Sequence, residues 1–530
     1  MFRYLLFPVL NALGSVLAAF AALMLVPALY SWAEGDGAVW DFLYSVGITF
    51  AAGTILFFTC LPFRRELTAR HGFLLVTLSW TLTSAFATIP LLLNQPQYNF
   101  SELYFETVSC ITTTGSTVIT GLDSLPPSIN GWRCFLSWVG GMGLIVFSVA
   151  ILPLLGIGGA QLMKAETSGP MKETRLTPRV AETARALYII YLGISAICVI
   201  AYHLAGMNWR DAVMHMMTTV SLSGIATHDA SFAFFKSAEV ETVAIFFMLI
   251  CSLNFALHFV AWRRKSLLAY WRSTEARCCL AAFLMLAAGT AFALYYTGAY
   301  PEPLEAFRTA FFAVASTAST TGYASADWSN WPYGIPFILL LSSAVVSCAG
   351  STGGGLKMLR VAIIFSQLRH EFTRLLYPNA VTPVTIDAAE IPNKIVFSVL
   401  SYAFIWLLSA LTGVLLLLGS GMSPLESFSA AVASITNLGP GLGSVGPAGN
   451  YQALSDLQLN ILSSLMLIGR LELFTVFVLF SRAFWKPRFS GTMQKLAIAF
   501  QFCELRTLSS LERSPHYSFL MFDRSSDHVL

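Results

Sequence analysis

Charge is what this chain has least of. Asp, Glu, Lys and Arg make up 11% of its 530 residues, under half of the ~25% usual in soluble domains. A net charge of +3 over that length, with no basic patch interleaved with aromatics, excludes a nucleic-acid-binding surface. The nine cysteines include no CxxC pair, and most lie inside apolar runs, as small buried hydrophobes do. The eight histidines form no HExxH and no His/Cys cluster, so no metal site is expected. The chain also lacks GxSxG and paired catalytic aspartates, and Gly350–Leu356 does not have the spacing of a nucleotide-binding loop. Neither an enzyme nor a bound cofactor is expected, and any nucleotide dependence would have to enter through a partner.

What is abundant is apolar sequence: 56% of residues are hydrophobic and mean hydropathy is +0.67. A single globular core stops growing beyond about 250–300 residues. Here the apolar residues come in stretches long enough to cross ~30 Å of hydrocarbon as helices. Ten spans are expected, at 4–31, 40–62, 73–94, 132–156, 186–206, 240–262, 278–298, 335–365, 394–418 and 457–481. The first is too long for the apolar core of a signal peptide and is followed closely by a second, so it reads as a retained helix. Of the 31 Lys and Arg residues, 26 fall on alternate segments beginning with the N-terminus and four on the others, with Arg470 inside the last span. By the positive-inside rule both termini of this multi-pass membrane protein are cytoplasmic.

From residue 73 a plan recurs. A span is followed by a short amphipathic segment, then a Ser/Thr-rich turn with a glycine, then another span. The four turns read Thr112-Thr113-Thr114-Gly115-Ser116, Ser221-Leu222-Ser223-Gly224-Ile225, Ser319-Thr320-Thr321-Gly322-Tyr323 and Thr436-Asn437-Leu438-Gly439-Pro440. The glycines are 109, 98 and 117 residues apart, a periodicity to be explained before any local motif. The fold class is therefore all-α integral membrane, with a helix pair at 1–72, four pseudo-symmetric repeats at 73–185, 186–277, 278–393 and 394–486, and an extension at 487–530 expected to be poorly ordered.

The segments before the glycines, at 101–111, 209–220, 303–317 and 424–435, are too short to span and should enter the membrane and turn back. Ser101-Glu102 and Pro303-Leu304-Glu305 supply a cap or a proline, with an acid, in the first helical turn. Non-helical backbone is tolerated at membrane depth only where protein or a water-filled path surrounds it. A dehydrated cation needs oxygens in place of its water, and carbonyls from four loops can supply them. The expected ion-binding residues are Thr113, Thr114, Gly115, Leu222, Ser223, Gly224, Thr320, Thr321, Gly322, Asn437, Leu438 and Gly439. The short helices would direct their partly negative C-terminal ends at the ion.

At these residues the sequence resembles the Trk/Ktr/HKT superfamily of potassium transporters, and its bacterial Trk branch in particular. The likeness is carried by TTTGSTVITGLDSLP (112–126), WVGGMGLIVFSVAILPLLGIGG (138–159), ATHDASF (226–232), AGSTGGGLKMLR (349–360), TNLGPGLG (436–443) and IGRLELFTVFVLF (468–480). It implies K⁺ uptake through a filter with one glycine per loop, a homodimer with one pore per protomer, and a cytoplasmic TrkA-type ring that binds nucleotide or NAD(H). Two departures stand out. Loop 2 reads Leu-Ser-Gly-Ile where relatives carry a Thr-Gly-Gly-Phe-like stretch, which bears on K⁺ over Na⁺ selectivity. The chain also continues some forty residues past the usual end of such proteins.

Two features point to gating. Gly353-Gly354-Gly355, with Gly350 just before, interrupts the eighth span, and glycine costs about 1 kcal/mol per residue in a helix. The resemblance implies a flexible loop across the pore. Arg470, with Glu472 near it, is either half of a salt bridge between helices or a positive charge beside the ion path. Glu102, Glu106, Asp123, Asp211, His228 and Asp229 fall on the outer side, to concentrate cations at the mouth or to cap helices. Gly140-Gly141-Met142-Gly143 reads as a helix-packing surface. A symporter coupling K⁺ to H⁺ or Na⁺ is the alternative to a conduit, although such proteins place carboxylates at mid-membrane and few are found here besides Glu472.

Overall fold

Hydropathy locates apolar segments, but caps and breaks decide where each helix begins and turns. The computed structural model describes residues 2–65, 67–143, 180–378, 383–387 and 389–485. Part of the span expected at 132–156, most of the basic segment 157–185 and the extension 487–530 lie outside the described residues. Residues 2–480 form one unit, which holds the N-terminal helix pair and the short helices and glycine turns of all four repeats.

Six helices are long and apolar enough to cross a membrane unaided: Leu5–Glu34, Val39–Phe63, Arg70–Asn94, Arg185–Leu204, Thr274–Tyr296 and Asn393–Gly419. Two spans expected to be straight are instead broken, and the interruption expected in the eighth is present. Ala238–Ser252 and Phe255–Arg264 meet at 94°, and Asp456–Arg470 and Phe474–Phe480 at 103°. The span expected at 335–365 is helical only over Ile335–Val345 and resumes as Met358–Leu376. In repeat 1 the corresponding helix, Pro127–Met142, ends at Gly143 with φ +84°. Among the described residues, repeats 2, 3 and 4 thus each interrupt their second helix.

The short helices form where capping chemistry starts them. Phe100–Ile111 begins one residue earlier than expected, because the cap is Asn99 in a reciprocal capping box with Glu102, rather than Ser101. Trp209–Val220 is capped by Asn208, and Pro424–Thr436 by Ser423 with proline at its first position. Pro303–Ala318 likewise opens on proline, where the missing N–H costs nothing. In the N-terminal pair, Phe2–Leu23 packs on Val39–Cys60 through Gly14 and Gly53. A Cβ on Gly14 would come within 2.6 Å of the Gly53 carbonyl oxygen, the close backbone approach typical of membrane helices. A short antiparallel hairpin pairs Thr385–Ile386 with Ala389–Glu390. A buried apolar cluster runs through repeats 2 and 3, around Phe232, Phe312 and Tyr323, and reaches Leu438 in repeat 4.

Candidate functional site: a ring of four glycine loops

Each short helix ends in the same way. The residue two before the glycine takes a left-handed conformation: Thr113 at φ 54°, Leu222 at 56°, Thr320 at 63° and Asn437 at 56°. Asn tolerates this readily, whereas β-branched Thr does so only when the surroundings impose it. The next N–H then reaches back five residues. Thr114 donates to Ser109 at 2.8 Å, Ser223 to Thr218 at 2.9 Å, Thr321 to Ser316 at 2.8 Å and Leu438 to Ala433 at 2.8 Å. The four loops therefore share one backbone path despite different side chains.

The structure brings those loops together around one axis. A Cβ added to Gly115 would collide with the Ser223 carbonyl oxygen, one on Gly224 with that of Thr321, one on Gly322 with that of Leu438, and one on Gly439 with that of Thr114. The contacts run from loop 1 to 2 to 3 to 4 and back to 1, so they close a cycle. All four glycines also have positive φ, between 70° and 101°, so a side chain is excluded by conformation as well as by space. Above the ring an open funnel is lined by Gly115, Gly224 and Gly322 together with Ile225, Asp229 and Tyr451.

The funnel wall carries charge, arranged differently from the sequence expectation. Glu106, expected at the mouth, is fully buried and paired with Arg133 at 2.8 Å. It also accepts from the Val118 N–H at 2.9 Å, while Arg133 donates to the Ala226 carbonyl at 3.3 Å in loop 2. Removing one partner of such a pair typically costs about 3–5 kcal/mol. Glu102 caps its helix. Asp229 accepts from the N–H groups of Gly121 and Leu122 at 3.1 Å each, stitching repeat 2 to repeat 1. His228 pairs with Asp123 and lies 3.4 Å from Asp211. Burial opposes its protonation, but the two carboxylates outweigh that and raise its pKa above the ordinary imidazole value.

On the face of the ring away from the funnel lies the glycine-rich segment of repeat 3. The Thr352 hydroxyl donates to the Val220 carbonyl at 3.1 Å, and the Gly354 N–H to the Thr320 hydroxyl at 2.9 Å. A Cβ on Gly353 would come within 2.9 Å of the Ser319 carbonyl oxygen, and one on Gly354 would collide with that of Thr436. The segment thus lies against the ends of three short helices. Gly350 touches the repeat 2 elbow instead: its carbonyl accepts from Phe255 N–H at 3.0 Å.

Arg470 donates to the Thr352 carbonyl at 2.8 Å and to those of Gly140 and Gly141 at 2.9 and 3.1 Å. It therefore joins the glycine-rich segment to the end of the repeat 1 helix, while Glu472 pairs with Arg360 at 2.8 Å. Gly140 and Gly141 pack tightly against Ile111, Ser221 and Tyr191, so the expected packing surface also supplies acceptors. Sequence reasoning missed Arg133, Arg360 and the Asn254 elbow. Each had a signal: a polar residue within or at the head of an apolar run.

A helical membrane protein with a closed ring of glycine loops beneath a funnel, and a segment lodged behind it, has the build of a polytopic ion-transport protein. Residues 41–489 match the family described as TrkH: Cation transport protein, and the chain belongs to that family. It is 40% identical to the Trk system potassium uptake protein TrkH of Halomonas elongata over 90% of this chain and 99% of that one. It is 37% identical to the protein of the same name in Escherichia coli K12, over 89% and 98% respectively. The crystal structure of the potassium transporter TrkH from Vibrio parahaemolyticus superimposes with a TM-score of 0.81 at 37% identity, covering 92% of this chain and 100% of that one.

Proposed function

We propose that this protein conducts K⁺ into the bacterial cell across the inner membrane, through the ring formed by its four loops. The observation that carries the reading is the cyclic contact of each ring glycine with the carbonyl preceding the next. Four inequivalent loops of one chain thereby surround one axis with backbone oxygens, the arrangement that replaces a cation's hydration shell. The filter residues are Thr113, Thr114 and Gly115, Leu222, Ser223 and Gly224, Thr320, Thr321 and Gly322, and Asn437, Leu438 and Gly439. The funnel faces outward, and the C-terminal ends of the short helices stabilise the cation from below.

The segment containing Gly350, Gly353, Gly354 and Gly355 is the gate, held shut by the Arg470 hydrogen bond to Thr352. A cytoplasmic nucleotide-binding ring of the TrkA type opens it by pulling on Met358–Leu376, and the protein works as a homodimer. Glu106 and Glu472 are each paired with arginine, which favours a conduit over proton-coupled transport.

Potassium-dependent growth of an uptake-deficient bacterium tests this reading. The wild-type chain should restore growth at low K⁺, and Gly322→Ala should not. Equal growth with both would exclude the ring as the path.

A further inference from the structure

The four ring loops share a backbone, but the side-chain bonds behind it differ. In loop 1 the hydroxyls of Thr112 and Thr114 are 2.8 Å apart, and in loop 3 those of Ser319 and Thr321 are 2.6 Å apart. Each brace ties the residue preceding the glycine to the end of the helix, across the strained left-handed residue between them. Loop 4 has no hydroxyl at Leu438, but the Asn437 amide reaches the Thr114 hydroxyl and the Met466 carbonyl, each at 3.0 Å.

Loop 2 has neither device. Ser221 turns its hydroxyl to the Thr218 carbonyl at 3.3 Å. The Ser223 hydroxyl is fully buried and has no hydrogen-bond partner, and Leu222 has no polar atom to offer. Among the described residues no side chain hydrogen-bonds to residues 222–225. Ser223 also lacks the methyl that stiffens the first torsion of Thr114 and Thr321. The Ser223 carbonyl, against which Gly115 packs, is therefore the least restrained of the four.

We propose that Ser223 is a specificity-determining residue, whose unbraced loop lets the ring contract around ions smaller than K⁺. This rests on the reading of the ring as the cation filter. Na⁺ requires shorter cation–oxygen distances, and a ring selects against it by resisting contraction. With three loops held and one free, the resistance is set by the free one. Threonine at 223 would add the methyl that restricts the first torsion and so hold the hydroxyl toward Ser221, as Thr321 holds its own toward Ser319.

The test is the ratio of Rb⁺ to Na⁺ tracer flux into liposomes containing the purified full chain, with folding checked by size-exclusion chromatography. Ser223→Thr should raise the ratio about fivefold, the change expected for one hydrogen bond of ~1 kcal/mol. The double variant Ser221→Ala/Ser223→Thr should lose that gain. Thr321→Ala, which removes an existing brace, should lower the ratio. A gain that persists without Ser221 would overturn the brace. If Thr321→Ala lowers the ratio while Ser223→Thr leaves it fixed, the inference falls and the filter stands. If neither folded variant moves the ratio, the filter reading falls as well. Should Ser223→Thr not fold, Thr114→Ala decides, since an unchanged ratio there would exclude hydroxyl braces as a source of selectivity.

Discussion

Repeats 2 and 3 both break their second helix on the face of the ring opposite the funnel, yet the breaks are of different kinds. In repeat 2 the chain turns 94° between Ser252 and Phe255, and the turn carries its own cap in Asn254, whose side chain accepts from the Ala256 N–H at 2.8 Å, besides the backbone bonds it shares with Cys348 and Gly350. In repeat 3 helix is lost from 346 to 357, and several of the bonds that hold this stretch come from other elements. Its Cys348 N–H donates to the Ser252 carbonyl at 3.0 Å, its Ala349 N–H to Glu275 at 2.6 Å, and its Thr352 carbonyl accepts from Arg470 at 2.8 Å. An elbow capped by its own residue is a fixed corner. A stretch held by separate bonds to several neighbours has a second place to go once those bonds are exchanged, which is what a two-state element requires.

Substitutions can break or sharpen this contrast. The largest effect is expected from Gly354→Ala, whose Cβ would collide with the Thr436 carbonyl. Overpacking of ~1–3 kcal/mol should displace the segment and raise K⁺ flux through the chain reconstituted alone by about tenfold or more. Unchanged flux would remove the segment from the path. Arg470→Ala deletes hydrogen bonds from a charged donor and should raise the same basal flux by about tenfold; loss of folded protein without increased flux would make Arg470 a strut between helices. The smallest effect belongs to the elbow. Asn254→Ala should lower stability by ~1 kcal/mol through the lost cap, read as a fall in thermal midpoint, and leave basal flux within about twofold of wild type. A tenfold rise there would erase the distinction between the two breaks.

Much of this architecture is legible in the sequence, because it rests on local chemistry. The four short helices fall within a residue of their expected ends, since prolines and Asn or Ser caps mark their starts and glycine-bearing turns their finishes. The three glycines at 353–355 announce an interruption. The bends at 253–254 and 471–473 are not legible, because hydropathy averages over a window and each bend sits within an apolar run. Asn254 is a polar mark in its stretch, but Ser252 and His258 beside it do not say where the chain turns. Pairings between residues far apart in the chain are hidden for another reason. Nothing in the spacing of Glu106 and Arg133 says that one closes on the other, and so the sequence alone puts Glu106 at the mouth. The equivalence of the four loops is visible in sequence, whereas their unequal bracing emerges only when hydroxyl partners can be traced.

The ring has one further consequence. Its four sides are separate stretches of a single polypeptide, so any change in the gene alters one side only. In a conduit assembled from four identical subunits, the same change would be multiplied fourfold and would more often be lethal. On the proposed reading of the ring as the filter, ion preference can therefore be adjusted in small, one-sided steps.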